Sequence, residues 1–435
     1  MLAPLILIAS EWLPALVMAQ EDSMPADEAQ TAEGLLVRPT LTGDWGGYRE
    51  KLGDRGVSVD ADLTYTFQWV AGGGLDGAVF DQFSDEEDTG NTVSMNLNLE
   101  LDTAAAGFWQ GGFFNFRLEG RAGRSVLQRA GSVSAVDNDA LFPNEVDQFD
   151  EETVAITELT FTQYFGDHVA VYAGLLDTGE GDENEIAGSA LSNAHFLNSA
   201  LLYSLVEDAT VPNVSLGGGV LFEPSETLYG SFSVFGTQET AGEDPFEHTQ
   251  GTTFSTEWTL AHTVRSRSGA QTLGLLYGID ASRVAIATDP RRMLAAVLLG
   301  LPIPDTNDDT WAIYYNAHQY IHGDAEGGWG AFVRFGTSDG DPNPVEWTVA
   351  AGLGGVGGVL ERPNDSWGIG AFYLGLSDED LLEGLNVEEE VGGELFYNVA
   401  ITPWLHVTPD VQVIDSALPR SDTAWVLSLR THVEL

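Results

Sequence analysis

Four polar residues recur at every second position of one short stretch: Asn115, Arg117, Glu119 and Arg121, with Phe114, Phe116 and Leu118 on the alternate face. Arg124 stands a little beyond them, and Arg334 occupies a comparable position in a later stretch. Guanidinium, carboxylate and amide groups side by side can hydrogen-bond the hydroxyls of a polar solute, the guanidinium through a planar fork. The same row also reads as a structural ladder of opposite charges supporting a wall. A second group, His195, Phe196 and Tyr203, lies within Ile186 to Leu205, an apolar, helix-compatible part of the long link 177–213. A link of that character tends to fold inward and constrict the space beside it; the alternative is an external loop packed on itself. His195 taken singly reads as a hydrogen-bonded loop residue rather than a ligand. The run Arg292 to Leu299, in the link 281–309, is a candidate partner for the constriction.

Residue types that serve catalysis are present without the spacing catalysis needs. The 8 histidines (His168, His195, His248, His262, His318, His322, His406 and His432) are scattered. No Gly-x-Ser-x-Gly elbow and no His-Glu-x-x-His occurs. The chain has no Cys, which excludes disulfides, thiolate ligands and a thiol nucleophile. With 67 acidic and 17 basic residues the formal net charge is −50. At that density a pair of carboxylates says little about glycosidase chemistry. So negative a chain also lacks the clustered cations that nucleic acid requires. The runs Asp85-Glu86-Glu87-Asp88 and Asp150-Glu151-Glu152 invite divalent cations on acidic loops. They lack EF-hand spacing, and a solvated acidic surface is the simpler reading. The sequence implies no enzyme, no cofactor and no resident metal.

The elements that must carry these residues are strands. Asp62, Thr64, Thr66 and Gln68 alternate with Leu63, Tyr65, Phe67 and Trp69; Ser94 to Asp102 alternates with Val93 to Leu101; Ser428 to Glu434 alternates with Leu427 to Leu435. Each has one polar and one apolar face over about ten residues, the length with which a tilted strand crosses a bilayer. Sixteen such segments are expected, near 57–70, 92–102, 111–122, 155–165, 167–176, 214–222, 226–236, 252–264, 270–280, 310–321, 328–336, 346–358, 366–376, 391–402, 403–414 and 423–435. Beyond the N-terminal segment, no apolar run reaches the ~18–20 residues of a membrane helix, so a chain that spans a membrane must do so as a closed barrel. The links alternate short (Gly166-Asp167, 223–225, 265–269, Thr402-Pro403) and long (71–91, 123–154, 177–213, 237–251, 281–309, 337–345, 377–390, 415–422). More than half of the 67 acids fall in the long ones. Outer-membrane barrels pair short periplasmic turns with long external loops in this way. Trp69, Trp109, Trp258, Trp311, Trp329, Trp347, Trp367, Trp404 and Trp425 mostly stand near strand ends, as in an interfacial girdle.

Four motifs, in order along the chain, carry a resemblance. They are Leu41-Thr42-Gly43-Asp44-Trp45-Gly46-Gly47-Tyr48-Arg49 with Arg55-Gly56-Val57; Phe196-Leu197-Asn198-Ser199-Ala200 with Pro212-Asn213; Arg362-Pro363-Asn364-Asp365-Ser366-Trp367-Gly368; and Glu394-Leu395-Phe396-Tyr397 with Ile401-Thr402-Pro403-Trp404 and Thr408-Pro409-Asp410-Val411-Gln412. Together they resemble the carbohydrate-selective porin family, the OprB type. The resemblance implies a sixteen-stranded barrel in outer-membrane lipid of a Gram-negative-type bacterium. It implies passive diffusion of glucose-like sugars, through monomers or homotrimers. The extreme acidity is unusual for that family. So is the C-terminal Leu435, where many outer-membrane proteins end in an aromatic residue. The expected organisation is a signal peptide over 1–19, a periplasmic segment over 20–56 whose Trp45-Gly46-Gly47 turn tucks under the barrel, and the barrel over 57–435. Two readings stand beside it: a general or cation-favouring porin, prompted by the acidic loops, and a soluble secreted β-protein that binds glycans or ions.

Overall fold

The computed structural model describes residues 34–75, 88–141, 153–246, 251–288, 292–293, 306–357 and 359–435. The expected signal peptide therefore lies outside the described residues, as do Asp85 to Glu87 and Asp150 to Glu152. Sixteen strands form one closed antiparallel barrel, each paired with its neighbour in sequence, and the last paired with the first. They are β1 (Val57–Leu75), β2 (Thr89–Asp102), β3 (Gly112–Arg124), β4 (Thr153–Tyr164), β5 (Val169–Asp177), β6 (Val214–Ser225), β7 (Leu228–Phe235) and β8 (Thr252–Val264), followed by β9 (Arg267–Ile279), β10 (Thr310–His322), β11 (Trp329–Ser338), β12 (Val345–Val356), β13 (Ser366–Leu376), β14 (Glu390–Thr402), β15 (Leu405–Asp415) and β16 (Ser421–Glu434). Every expected strand is present, with ends displaced by a few residues. A two-residue ladder, Arg283–Val284 against Thr306–Asn307, is additional and stands apart from the barrel.

The burial pattern is that of a soluble protein turned inside out. On β1, Thr64, Thr66 and Gln68 are about 1% exposed, whereas Leu63, Tyr65, Phe67 and Trp69 face outward at 37–44%. The same inversion recurs on the far side, where Trp311 and Ile313 of β10 and Val333 and Phe335 of β11 are exposed. An apolar exterior around a polar interior would be unfavourable in water, at about 25 cal/mol for each Å² of apolar surface, and is stable in hydrocarbon. This disfavours the soluble secreted β-protein. Turn chemistry sharpens one end: Arg265 and Ser266 both have positive φ (52° and 64°), the geometry of a two-residue hairpin whose twist matches its strands. At the same end, Leu41 N–H donates to the Glu434 carbonyl at 2.7 Å, Arg49 Nη2 to the Leu435 carbonyl at 2.9 Å, and Trp404 Nε1 to the Leu35 carbonyl at 2.7 Å. Residues 34–56 thus lie against the short-turn rim.

The apolar core is not in the wall. It lies between the inner face of the wall and two loops folded into the lumen: Ile186, Phe196, Leu201, Leu202, Leu205 and Val206 from the link β5–β6, and Val126, Ala130 and Val136 from the link β3–β4. Phe196 packs edge-on to Phe396 of β14 at 5.0 Å and tilted against Phe332 of β11 at 5.6 Å. Inward-facing glycines leave the room. A Cβ on Gly336 would lie 2.6 Å from Val206 Cγ2, and one on Gly330 2.5 Å from Ile186 Cδ1.

Candidate functional site

The alternation of β3 turns Asn115, Glu119 and Arg121 inward and buries them, while Phe114 is 40% exposed to the outside. Register sets Arg117 beside Asn98 of β2 and Glu158 of β4. Its guanidinium spans three groups: Nε donates to Asn98 Oδ1 at 2.9 Å, Nη1 to Asp177 Oδ2 at 2.9 Å and Nη2 to Glu180 Oε1 at 3.1 Å. Asp177 ends β5, and its other oxygen accepts from the Gly179 N–H at 3.1 Å, capping the turn Thr178–Glu180. Arg117 therefore fixes the point where the link β5–β6 leaves the wall. Four residues on, Arg121 meets Glu119 at 3.5 Å and Asp139 at 3.2 Å. Asp139 belongs to the link β3–β4, so the row on β3 holds the roots of both inward loops. Arg124 is half-buried at the far end of the strand, opposite Asn91.

Arg334 lies on the opposite wall with quite different surroundings. Its side chain is 1% exposed and pairs with Asp182 Oδ1 at 2.6 Å; Nη1 and Nη2 also donate to the carbonyls of Asp182 (2.6 Å) and Gly188 (2.8 Å). Its register neighbour Asn316 donates to the carbonyls of Asp182 and Glu183, and Asp182 itself, at φ 50°, donates its N–H to Glu257 Oε2 at 3.0 Å. The constriction residues differ among themselves. Phe196 is fully buried against the wall, Tyr203 is half-buried against the same core, and His195 lines a cavity. The His195 carbonyl accepts from Arg430 Nη2 at 2.6 Å. Burial, then the nearby Arg430 charge, pushes its imidazole down to about 4, so it is neutral across physiological pH.

Of the run Arg292 to Leu299, expected as a partner of the constriction loop, only 292–293 are among the described residues. The described parts of that link are held among other long-link segments, through Ile286 N–H to Asp341 Oδ1 at 2.7 Å and Leu381 N–H to the Ile286 carbonyl at 3.0 Å. Among the described residues, the link β3–β4 is a partner of the constriction loop. Asn138 N–H donates to the Leu197 carbonyl at 2.9 Å, Ser199 N–H to the Ala135 carbonyl at 3.0 Å, and Ala135 N–H to Ser199 Oγ at 2.9 Å. Its small residues Ser132, Ser134 and Ala135 gave no apolar run to notice. Glu390 receives Val133 N–H at 2.7 Å and Ser134 N–H at 3.0 Å; Glu394 receives Leu197 N–H at 2.6 Å and Asn198 N–H at 2.8 Å. These acids and Arg430 went unselected in sequence, although all three sit on polar strand faces like that of β3.

Two cavities flank the inward loops. One, of about 390 Å³, is bounded by the β2–β3 wall and includes Arg117, Arg121 and His195. The other, of about 560 Å³, is bounded by β4 to β10. Glu158, Glu180 and Glu183 line both. Burial, then the Glu158 carboxylate, raises Glu180 to about 8 despite the Arg117 guanidinium. Among the described residues, no three His, Asp or Glu side chains converge as a metal site.

Against known proteins, residues 86–435 match the family model described as carbohydrate-selective porin, OprB family. The high-pH structure of Pseudomonas putida OprB superposes with a TM-score of 0.77 at 21% identity, covering 93% of this chain and 100% of that one. The low-pH structure of the same protein gives 0.58 at 19% identity, covering 92% and 99%. No curated protein matches the chain.

Proposed function

The chain belongs to the OprB family of carbohydrate-selective porins, and from that premise we propose that glucose-sized sugars cross it by diffusion along the β2–β3 wall, past Glu158, Glu180 and Glu183. It is a sugar porin; family and fold indicate a channel rather than an enzyme and imply the outer membrane. The observation that carries the route is the polar row on β3 meeting the inward loops at a cavity of about 390 Å³, within the roughly 300–1,000 Å³ of small-molecule sites. Arg117, with 17% of its side chain exposed, presents guanidinium N–H groups, and the buried Asn115, Glu119 and Arg121 back it. A sugar passing this wall exchanges water for these donors and acceptors at little net cost, as passage rather than retention requires. Arg334, sealed behind Asp182, acts on passage by holding the loop that sets the width. Around the barrel the outward apolar residues contact lipid; that belt is also where copies of a homotrimer would meet, and sedimentation in detergent decides between it and a monomer.

Liposome swelling tests the route. Purified protein is compared on glucose, a disaccharide and an amino acid of glucose's size. Glucose is expected to outrun the amino acid, and Arg117→Ala to narrow the difference. Equal rates for wild type would remove sugar preference; no swelling from folded protein would remove the open channel.

A further inference from the structure

The two cavities differ in charge. Arg117 and Arg121 border the smaller, whereas no Lys or Arg lines the larger, whose lining includes Glu158, Glu180, Glu207, Glu223 and Glu257 together with one imidazole, His318. Three of these carboxylates have partners: Glu158 accepts from Thr160 at 2.7 Å, Glu180 from Arg117, and Glu257 from Tyr314 and the Asp182 N–H. Two carboxylate oxygens do not. Glu223, 6% exposed at the end of β6, has Oε2 buried without a hydrogen-bond partner; Glu207 Oε1, on the inward loop, is in the same condition. A buried carboxylate oxygen without a donor is costly, by about 1–3 kcal/mol or more, unless something that donates visits it.

The rest of the lining suits a carbohydrate. Tyr172 and Tyr229 present rings, and Ser231, Ser233 and Thr259 present hydroxyls. Rings cover the apolar face of a pyranose while hydroxyls exchange hydrogen bonds with its edge. The unpartnered Glu223 oxygen adds a requirement for a donor carrying positive charge, and an ammonium supplies three donors. Resting on the sugar-channel reading, we propose that the β4–β10 cavity is a subsite for protonated amino sugars, monosaccharides carrying a ring ammonium, with Glu223 as the group that receives the ammonium. The lumen then has two lanes, one for neutral sugars along the arginines and one for cationic sugars along the glutamates.

Single-channel current block in planar bilayers tests this with the full-length porin at about pH 6.5, where an amine of α-amino basicity is protonated. The probes are glucose, glucosamine, N-acetylglucosamine and methylammonium. Glucosamine is expected to reach half-block at a concentration about tenfold below glucose, with the neutral N-acetyl sugar close to glucose. Glu223→Gln should raise the glucosamine value several-fold and leave glucose unchanged. Glu223→Ala, a second change at the same position, should do the same and covers the case in which the first fails to fold. Equal block by glucosamine and glucose overturns the proposal, as does a glucosamine preference that survives either folded Glu223 variant. Methylammonium blocking as well as glucosamine overturns its carbohydrate half. Failure of glucose to swell liposomes is a separate result: it overturns the channel reading and this subsite with it.

Discussion

Arg117 and Arg334 are the same residue type on facing walls of one lumen, and they do different work because their surroundings differ. Arg117 keeps 17% of its side chain exposed and bridges Asp177 and Glu180 beside a cavity. Arg334 keeps 1% and spends its donors on one carboxylate and two carbonyls of the inward loop. The first is poised to trade partners with a passing solute; the second is a fastening. In a lumen wall an inward arginine does not by itself mark a binding site: the space left around the guanidinium decides.

The comparison breaks most clearly at its buried end. Arg334→Ala leaves Asp182 buried without its counter-charge, a loss of about 3–5 kcal/mol. The expected outcome is a lowered temperature for the heat-induced mobility shift in SDS gels and a larger single-channel conductance as the loop leaves the lumen; unchanged conductance would mean the loop holds without it. Gly336→Leu attacks the same fastening by overfilling the space taken by Val206, at about 1–3 kcal/mol. It should reproduce the conductance rise with a smaller thermal shift. Arg117→Ala works at the other end: thermal stability should fall less than for Arg334→Ala, while glucose selectivity over a size-matched amino acid falls about two- to fivefold in swelling assays.

Glu180 gives a pH handle on the same region. It faces Arg117, Asp177 and Glu158, and its folded-state value of about 8 stands above the ordinary carboxyl 4.5. Between those values the folded protein holds a proton that the unfolded chain has lost, so this group's contribution to stability declines as pH rises through that window. The lumen also gains a negative charge. Cation preference, read as the reversal potential in a salt gradient, should rise between about pH 7 and about pH 9, and Glu180→Gln should flatten the rise. The smallest effect belongs to His195→Gln. The His195 carbonyl, not its ring, is what Arg430 holds, so stability should move by no more than about 0.5 kcal/mol in thermal melts.

The sixteen strands were legible because a wall between lipid and water imposes a strict period of two, visible in Leu63 to Trp69 without any knowledge of pairing. The apolar character of Ile186 to Leu205 suggests an inward bend of 177–213 but in sequence leaves open an external loop packed on itself. What was not legible depends on register. Gly330 and Gly336 look like any strand glycines until their neighbours show that Ile186 and Val206 occupy the space of their missing side chains. The link β3–β4 hides for a similar reason. Ser134 and Ala135 carry no pattern of their own, and their fixing partner, Glu390, lies more than 250 residues away. Single-residue periodicity reports on the solvent at each face, and two-body contacts across a lumen leave no trace in it.

The seam between β1 and β16 is made of antiparallel partners from Asp62–Glu434 to Leu75–Ser421, nearly the whole length of the chain apart. Synthesis delivers one side of that seam first and the other last. Until the final strand arrives, both edges of a growing sheet offer unpaired amides and carbonyls, which hydrocarbon does not tolerate. The barrel therefore cannot accumulate strand by strand in the membrane as a row of helices can. It has to be sheltered while open and committed in one closing event, which makes the fourteen residues of β16 a checkpoint on everything made before them.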